Sequence, residues 1–156
     1  MDEKKLLKYA VDYLSKYDSS KVNLVNVLKR KILRLKTTNY EKGKLINIIE
    51  SIIIKLEKNK FIDDNRYSST KILSLSNSGK SKNFIFNYLI KKGVNKTQIQ
   101  NNLNLVQKDN HNWELNSAKI FAKKKKLLEK DQSYEKNLAK MARAGFSYDI
   151  CKKILS

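Results

Sequence analysis

Hydrophobic residues recur along the chain at spacings of three and four, which is the period of a helix with one buried face. An early stripe joins Leu7, Ala10, Val11 and Leu14, and comparable stripes follow in most later segments. Residues 52–54 are three consecutive isoleucines that would also suit a β-strand, but they lie inside a stripe of helical period. No segment alternates with period two for long enough to form a sheet. The pattern therefore predicts an all-α fold.

Glycines mark the points where these helices are expected to stop. The chain has four glycines and no proline. Gly93 and Gly145 each follow a helical stripe and precede an apolar residue and then an asparagine or serine that can cap the next helix. Gly43 and Gly79 are also predicted to lie in breaks. Asp63, with the aspartate after it, is expected to cap the helix that follows.

The two glycine corners are copies of one pattern and indicate an internal repeat. The stretches 89–95 and 141–147 lie about fifty residues apart. Each has the end of a helical stripe with one or two basic residues, then a glycine, an apolar residue and a capping residue. Three repeats of three helices, each resembling a helix-turn-helix unit, fit the length at 1–60, 61–108 and 109–156. Repeats stacked in series predict an elongated, curved body and a monomer.

The composition adds a strong positive charge. Lysine and arginine number 34 against 15 acidic residues, which gives a net charge of +19. Such a charge favours a polyanionic partner, either nucleic acid or an acidic protein surface. Only four of the basic residues are arginine, so phosphate contact without base reading is the better expectation. A coding bias toward lysine, asparagine and isoleucine is the simpler explanation for part of this charge.

The basic residues form short clusters that are candidates for partner contact. Four consecutive lysines at 123–126 point around more than half a helix, so only part of that run can face one partner. The residues expected to contact a protein partner or DNA are Lys29, Arg30, Lys31, Arg34, Lys80, Lys82, Lys91, Lys92, Lys123, Lys124, Lys126 and Arg143.

Aromatic residues could stack on bases, but most of them coincide with apolar stripes and are expected in the core. Tyr40 and Tyr148 lie in or beside turns and are expected to be exposed. The aromatic residues within apolar stripes are Tyr67, Phe84, Phe86, Tyr88 and Trp113.

Catalytic and metal chemistry have little support in the sequence. His111 is the only histidine and Cys151 the only cysteine, too few for a four-ligand zinc site or an intrachain disulfide. Residues 79–81 resemble the tail of a phosphate-binding loop but lack its first glycine. We therefore predict no enzyme activity and no cofactor, and a buried thiol. The charged N-terminus and interrupted apolar runs predict no leader or membrane span, and hence a cytoplasmic protein.

Several short motifs follow one another in a characteristic order along nearly the whole chain. They are Tyr13-Leu14 before the Ser19-Ser20 cap, Asn59 to Tyr67, Gly79 to Val94, and Ala142 to Ile150. In this order the chain resembles the RecX family, whose members regulate the bacterial recombinase RecA. The resemblance implies three tandem three-helix repeats that bind in the groove of the RecA filament on single-stranded DNA. It also implies inhibition of ATP hydrolysis, strand exchange and coprotease activity, and hence a role in recombination, DNA repair and the SOS response.

Two other interpretations stay open at the level of sequence. The first is an autonomous DNA-binding helical module without sequence specificity, since three-helix units can present a recognition helix. Scarce arginine and the lack of a strongly polar recognition helix count against base reading in that case. The second is a purely structural helical scaffold. The expected partners are the RecA nucleoprotein filament and, as a further contact, the DNA backbone.

Overall fold

Helices account for the regular structure throughout the residues that the computed structural model describes, 1–129 and 133–156. Within these ranges there is no β-strand, which confirms the predicted all-α class. The helices are α1 (Glu3–Lys16), α2 (Lys21–Leu33), α3 (Asn39–Asn47), α4 (Ile49–Lys58), α5 (Asp64–Asn77), α6 (Lys82–Lys91), α7 (Lys96–Asp109), α8 (Trp113–Lys124), α9 (Tyr134–Arg143) and α10 (Tyr148–Leu155).

The predicted helix starts are capped by side chains, as the sequence indicated. Ser20, Asn95 and Ser147 each accept a hydrogen bond from a backbone N–H in the first turn of α2, α7 and α10. Asp63 accepts two such bonds at the start of α5. Each cap satisfies an amide that has no partner inside its own helix.

Helices α4, α5, α8 and α9 end in the same way, with a residue in the left-handed conformation. In each case the N–H of the residue after the left-handed one donates a hydrogen bond to the carbonyl five residues before it, as Phe146 N–H does to Met141 O at 3.2 Å. The predicted corner at Gly93 also has a left-handed φ of 79°. The left-handed residues that end the four helices are Lys60 (φ 60°), Gly79 (φ 91°), Lys126 (φ 58°) and Gly145 (φ 96°).

Two details of the first segment differ from the prediction. Gly43 lies inside α3 and not in a break, because Thr38 caps that helix five residues earlier. The stripe of helical period around residues 52–54 predicts one helix that runs on to Lys58, but that helix is interrupted at Ile48, whose amide bonds to the Leu45 carbonyl only three residues back. This local 3₁₀-type turn separates α3 from α4.

The described chain divides into two compact units. Unit 1 comprises residues 1–67 with 92–94, and unit 2 comprises 68–91 with 95–156. In unit 1, α2 packs against α1, α3 and α4. Its hydrophobic side chains with no exposed surface are Leu6, Ala10, Leu24, Leu28, Ile32 and Ile52.

In unit 2, α6 packs against α7, and α10 packs against α8 and α9. Cys151 is buried in the second of these groups, as predicted, beside Met141 and Phe146. The predicted segments 61–108 and 109–156 contain α5–α7 and α8–α10 respectively. The repeat boundaries themselves stay a prediction.

Candidate functional site

The predicted contact residues all lie wholly or partly at the surface. Lys31, Lys82 and Lys92 are half-buried, and the other nine are exposed. Two depressions, one in each unit, collect five of the twelve. The remaining residues lie elsewhere or take part in holding the fold together.

The first depression, the α1–α2 basic cleft, has a volume of about 290 Å³. Arg30 and Arg34 lie about one helical turn apart there, and the Lys31 Nζ lies 5.0 Å from the centre of the Tyr9 ring. No carboxylate is among the residues lining it. A pair of guanidinium groups in this setting favours phosphate or carboxylate ligands, which arginine can bind through two hydrogen bonds. The lining consists of Tyr9, Tyr13, Val27, Arg30, Lys31 and Arg34.

The second depression, the α6 face, has a volume of about 260 Å³. It brings together Lys91 and Arg143, which the sequence placed at two separate glycine corners. Both side chains are exposed, and no carboxylate is among the lining residues. The lining consists of Asn83, Phe84, Asn87, Tyr88, Lys91, Arg143, Ala144 and Gly145.

Two aromatic rings flank the cations of the α6 face. The rings of Phe84 and Tyr88 have centroids 6.4 Å apart and planes 23° from parallel. The Lys80 Nζ lies 4.6 Å from the centroid of Phe84. Ile85 and Leu89 form the buried stripe of α6, so Phe84 and Tyr88, one residue earlier, are turned by about 100° around the helix.

The core prediction for the aromatic residues is therefore wrong at Phe84, which is 39% exposed. It is confirmed at Tyr67 and Trp113, which are buried. Tyr40 and Tyr148 are exposed, as expected.

A junction around the buried Ser81 side chain fixes α6 relative to the end of α9. The Ser81 hydroxyl accepts a hydrogen bond from Phe84 N–H at 3.0 Å and donates one to the Ala144 carbonyl at 2.8 Å. A Cβ on Gly145 would lie 2.5 Å from the Ser81 Oγ, so the two elements approach as closely as a glycine allows. This junction positions Arg143 beside α6.

The same junction recurs in unit 1, and the sequence analysis missed it. The Ser20 hydroxyl caps α2 and donates to the Lys92 carbonyl at 2.5 Å, and Gly93 fits closely against α2. Lys21 N–H donates to the Asp64 Oδ1 at 2.8 Å, as Lys82 N–H does to a glutamate in unit 2. The signal in the sequence was the serine–lysine pair that begins both α2 and α6.

Burial makes this junction sensitive to pH. Removal from water raises the pKa of the Asp64 carboxyl, against the lowering effect of the Lys21 amide that it accepts from. The Lys21 ammonium pairs with Glu57 at 2.8 Å, and this hydrogen bond raises the pKa of Lys21.

Several predicted contact residues have evident structural uses. The Lys124 Nζ donates to the Ser78 carbonyl at the end of α5 at 3.0 Å. Lys126 supplies the left-handed residue that ends α8. Lys82 lines a different cavity, beside Glu114. Lys29 and Lys123 are exposed but line neither the α1–α2 basic cleft nor the α6 face.

The described residues offer no constellation for metal chemistry. Within 1–129 and 133–156 no three His, Cys, Asp or Glu side chains are grouped so that they could hold a metal ion. His111 is exposed whereas Cys151 is buried, and burial raises the pKa of the Cys151 thiol. None of the helices described is both long and apolar enough to cross a membrane.

Comparison with known proteins gives one partial and three nearly full-length similarities. A protein-family model described as Mad3/BUB1 homology region 2 matches residues 61–136, which is less than half of the chain. The regulatory protein RecX of Myxococcus xanthus (strain DK1622) is 31% identical over 154 residues, covering 94% of this chain and 81% of that protein.

Two crystal structures share the fold. RecX from Lactobacillus salivarius superimposes with a TM-score of 0.70 at 21% identity, over 97% of this chain and 93% of that one. A second structure, of regulatory protein RecX, gives a TM-score of 0.70 at 22% identity, over 97% and 70%. Sequence identity over nearly the whole chain, together with this shared fold, shows that the chain belongs to the RecX family of regulatory proteins.

Proposed function

We propose that this protein inhibits the recombinase RecA by binding in the groove of the RecA filament on single-stranded DNA. It lowers ATP hydrolysis, strand exchange and coprotease activity, and so regulates DNA repair in the cytoplasm. The observation that carries this proposal is the 31% identity with a regulatory RecX protein over 94% of the chain. The protein acts by occupying a surface and not by catalysis.

The electrostatics of the two depressions support this role. A nucleoprotein filament presents phosphates and acidic side chains, and the α1–α2 basic cleft and the α6 face present cations without lining carboxylates. Arg30, Arg34 and Arg143 form no ion pair with another described residue. They are therefore available to a partner without the cost of breaking an internal pair.

The test measures ATP hydrolysis by a purified bacterial RecA on single-stranded DNA as this protein is added. Hydrolysis is expected to fall, and the protein is expected to sediment with the filament more than with naked DNA. Both effects should weaken as salt rises, because cations are exchanged at the contacts. Equal sedimentation with naked DNA and unchanged hydrolysis would instead identify an autonomous DNA-binding module.

A charge-reversal pair locates the contact. The double variant R30E/R34E reverses the α1–α2 basic cleft, whereas K36E/K58E makes the same change in net charge at exposed positions outside it. Inhibition is expected to require at least about tenfold more of the first variant, which corresponds to the loss of one strong charge-assisted contact. Equal losses in the two variants would mean that overall charge, and not the cleft, governs binding.

A further inference from the structure

The α6 face combines two kinds of group, aromatic rings and cations, on one surface. Phe84, Tyr88 and Lys91 recur at intervals of four and three, so they lie along one side of α6. Lys80 precedes the helix, and its ammonium group lies over the Phe84 ring. Arg143 reaches the same depression from the end of α9. The exposed amides of Asn83 and Asn87 complete the polar lining.

Each of these groups matches one part of a polynucleotide. Aromatic rings stack on bases, because every base has a π-face, and cations bind the phosphates that run beside them. Asparagine amides donate and accept hydrogen bonds at base edges. We propose that the α6 face binds a single-stranded nucleic acid, with an unpaired base stacked on Phe84 and Tyr88 and neighbouring phosphates held by Lys91 and Arg143.

Stacking on a side chain requires an unpaired base. In a duplex the faces of each base are covered by its neighbours, and only the edges and the phosphates are accessible. The rings of Phe84 and Tyr88 therefore add affinity for a single strand that a duplex cannot gain. Purely electrostatic binding would not make this distinction.

Lys80 already occupies part of the ring surface of Phe84. Its ammonium group lies 4.6 Å from the ring centre, in a contact open to solvent. Such an exposed cation–π contact is weaker than base stacking, so a base displaces the ammonium. The released Lys80 is then free to bind a phosphate of the same strand.

This inference goes beyond the proposed function, because it concerns the nucleic acid itself and holds without the recombinase. The test is accordingly made on the full chain with no RecA present. Fluorescence anisotropy measures binding to an oligothymidine and an oligouridine of about 15 nucleotides, an abasic strand of equal length, and a duplex. The abasic strand keeps the phosphates and removes the bases.

The wild-type protein is expected to bind the thymidine or the uridine strand about tenfold more tightly than the abasic strand or the duplex. Phe84→Ala is expected to lose that tenfold difference while its affinity for the abasic strand is unchanged. The better of the two base-bearing strands identifies DNA or RNA as the ligand, and either result supports the stacking site.

The chain supplies a matched control in α3. Tyr40 is an exposed ring with the Lys44 Nζ 4.5 Å from its centre, the same pairing that Lys80 makes with Phe84. Tyr40→Ala is expected to leave the affinity for every strand unchanged. A second pair, Phe84→Tyr and Phe84→Leu, keeps a large side chain at this position, and only the first keeps an aromatic face. Circular dichroism verifies that each variant is folded.

The inference is overturned if the wild type binds the abasic strand as tightly as oligothymidine. It is also overturned if Phe84→Leu binds as tightly as Phe84→Tyr. Because RecA is absent, either result leaves the proposed inhibition untouched. If the protein binds strands in a base-dependent way but does not inhibit RecA, the stacking site is supported and the proposed inhibition is refuted.

Discussion

Replacing Ser81 with alanine tests the junction that positions the α6 face. The Ser81 side chain is fully buried and its hydroxyl is used twice, as the cap of α6 and as a donor to the Ala144 carbonyl. The alanine variant removes both bonds without adding volume. Ser147 offers a matched comparison, because it caps α10 in the same way but is exposed.

The expected loss follows from the two bonds. Loss of an N-cap costs about 1 kcal/mol. The Ala144 carbonyl is partly buried, so the loss of its hydrogen bond adds about 0.5–1.5 kcal/mol, and the total for Ser81→Ala is about 1.5–2.5 kcal/mol. Ser147→Ala loses only an exposed cap whose bond is 3.4 Å long, and is expected to cost below about 1 kcal/mol.

Tryptophan fluorescence during urea unfolding is a suitable measurement. Trp113 is the only tryptophan, is buried, and belongs to unit 2 together with Ser81. The transition midpoint of Ser81→Ala is expected to fall well below those of the wild type and Ser147→Ala, at an unchanged slope. If the two serine variants lose equal stability, the bond to Ala144 contributes nothing and the junction does not hold α6 in place.

Four further substitutions test the backbone conformation and the effect of burial. Gly145→Ala is expected to lower the free energy of unfolding by more than about 2 kcal/mol, because Gly145 has a left-handed φ and a close contact. Gly43 lies inside α3 with open space around it, so Gly43→Ala is expected to raise the free energy of unfolding by up to about 1 kcal/mol. Urea unfolding measures both changes. Lys60→Gly removes the strain of a lysine in the left-handed conformation and is expected to raise the free energy of unfolding by up to about 1 kcal/mol in the same measurement. The raised pKa of Asp64 means that the native state holds its proton to higher pH than the unfolded state, so stability falls as pH rises from 3.8 toward the raised pKa. Asp64→Asn should remove this fall in urea titrations across that range.

The sequence predicted the features that short-range chemistry determines. Helical period, capping side chains and the left-handed corners at Gly93 and Gly145 all depend on residues within a few positions of one another. Lys60 and Lys126 adopt the same left-handed conformation, and because neither is a glycine the sequence did not predict it. Gly43 shows the converse, because a helix tolerates one glycine when its neighbours form the helix around it.

The candidate site depended on information that a single sequence does not contain. Residues 84 and 88, like 85 and 89, have helical spacing, and all four are apolar or aromatic. Which pair faces the core is decided by packing against other helices, so Phe84 could not be recognised as exposed. The approach of Arg143 to Lys91 depends on the Ser81 junction, a contact between residues far apart in the chain.

The positions of the arginines distinguish a role in binding from a general bias of composition toward lysine. Lysine supplies all but four of the 34 basic residues, yet three of the four arginines line the α1–α2 basic cleft or the α6 face. A bias toward lysine raises net charge everywhere but does not concentrate arginine in depressions. The triple variant R30K/R34K/R143K keeps the net charge of +19 and removes only the planar, bidentate groups. We expect it to inhibit RecA about tenfold less well with an unchanged salt dependence, because the number of cations exchanged is the same. Full inhibition by this variant would mean that charge alone acts at these positions.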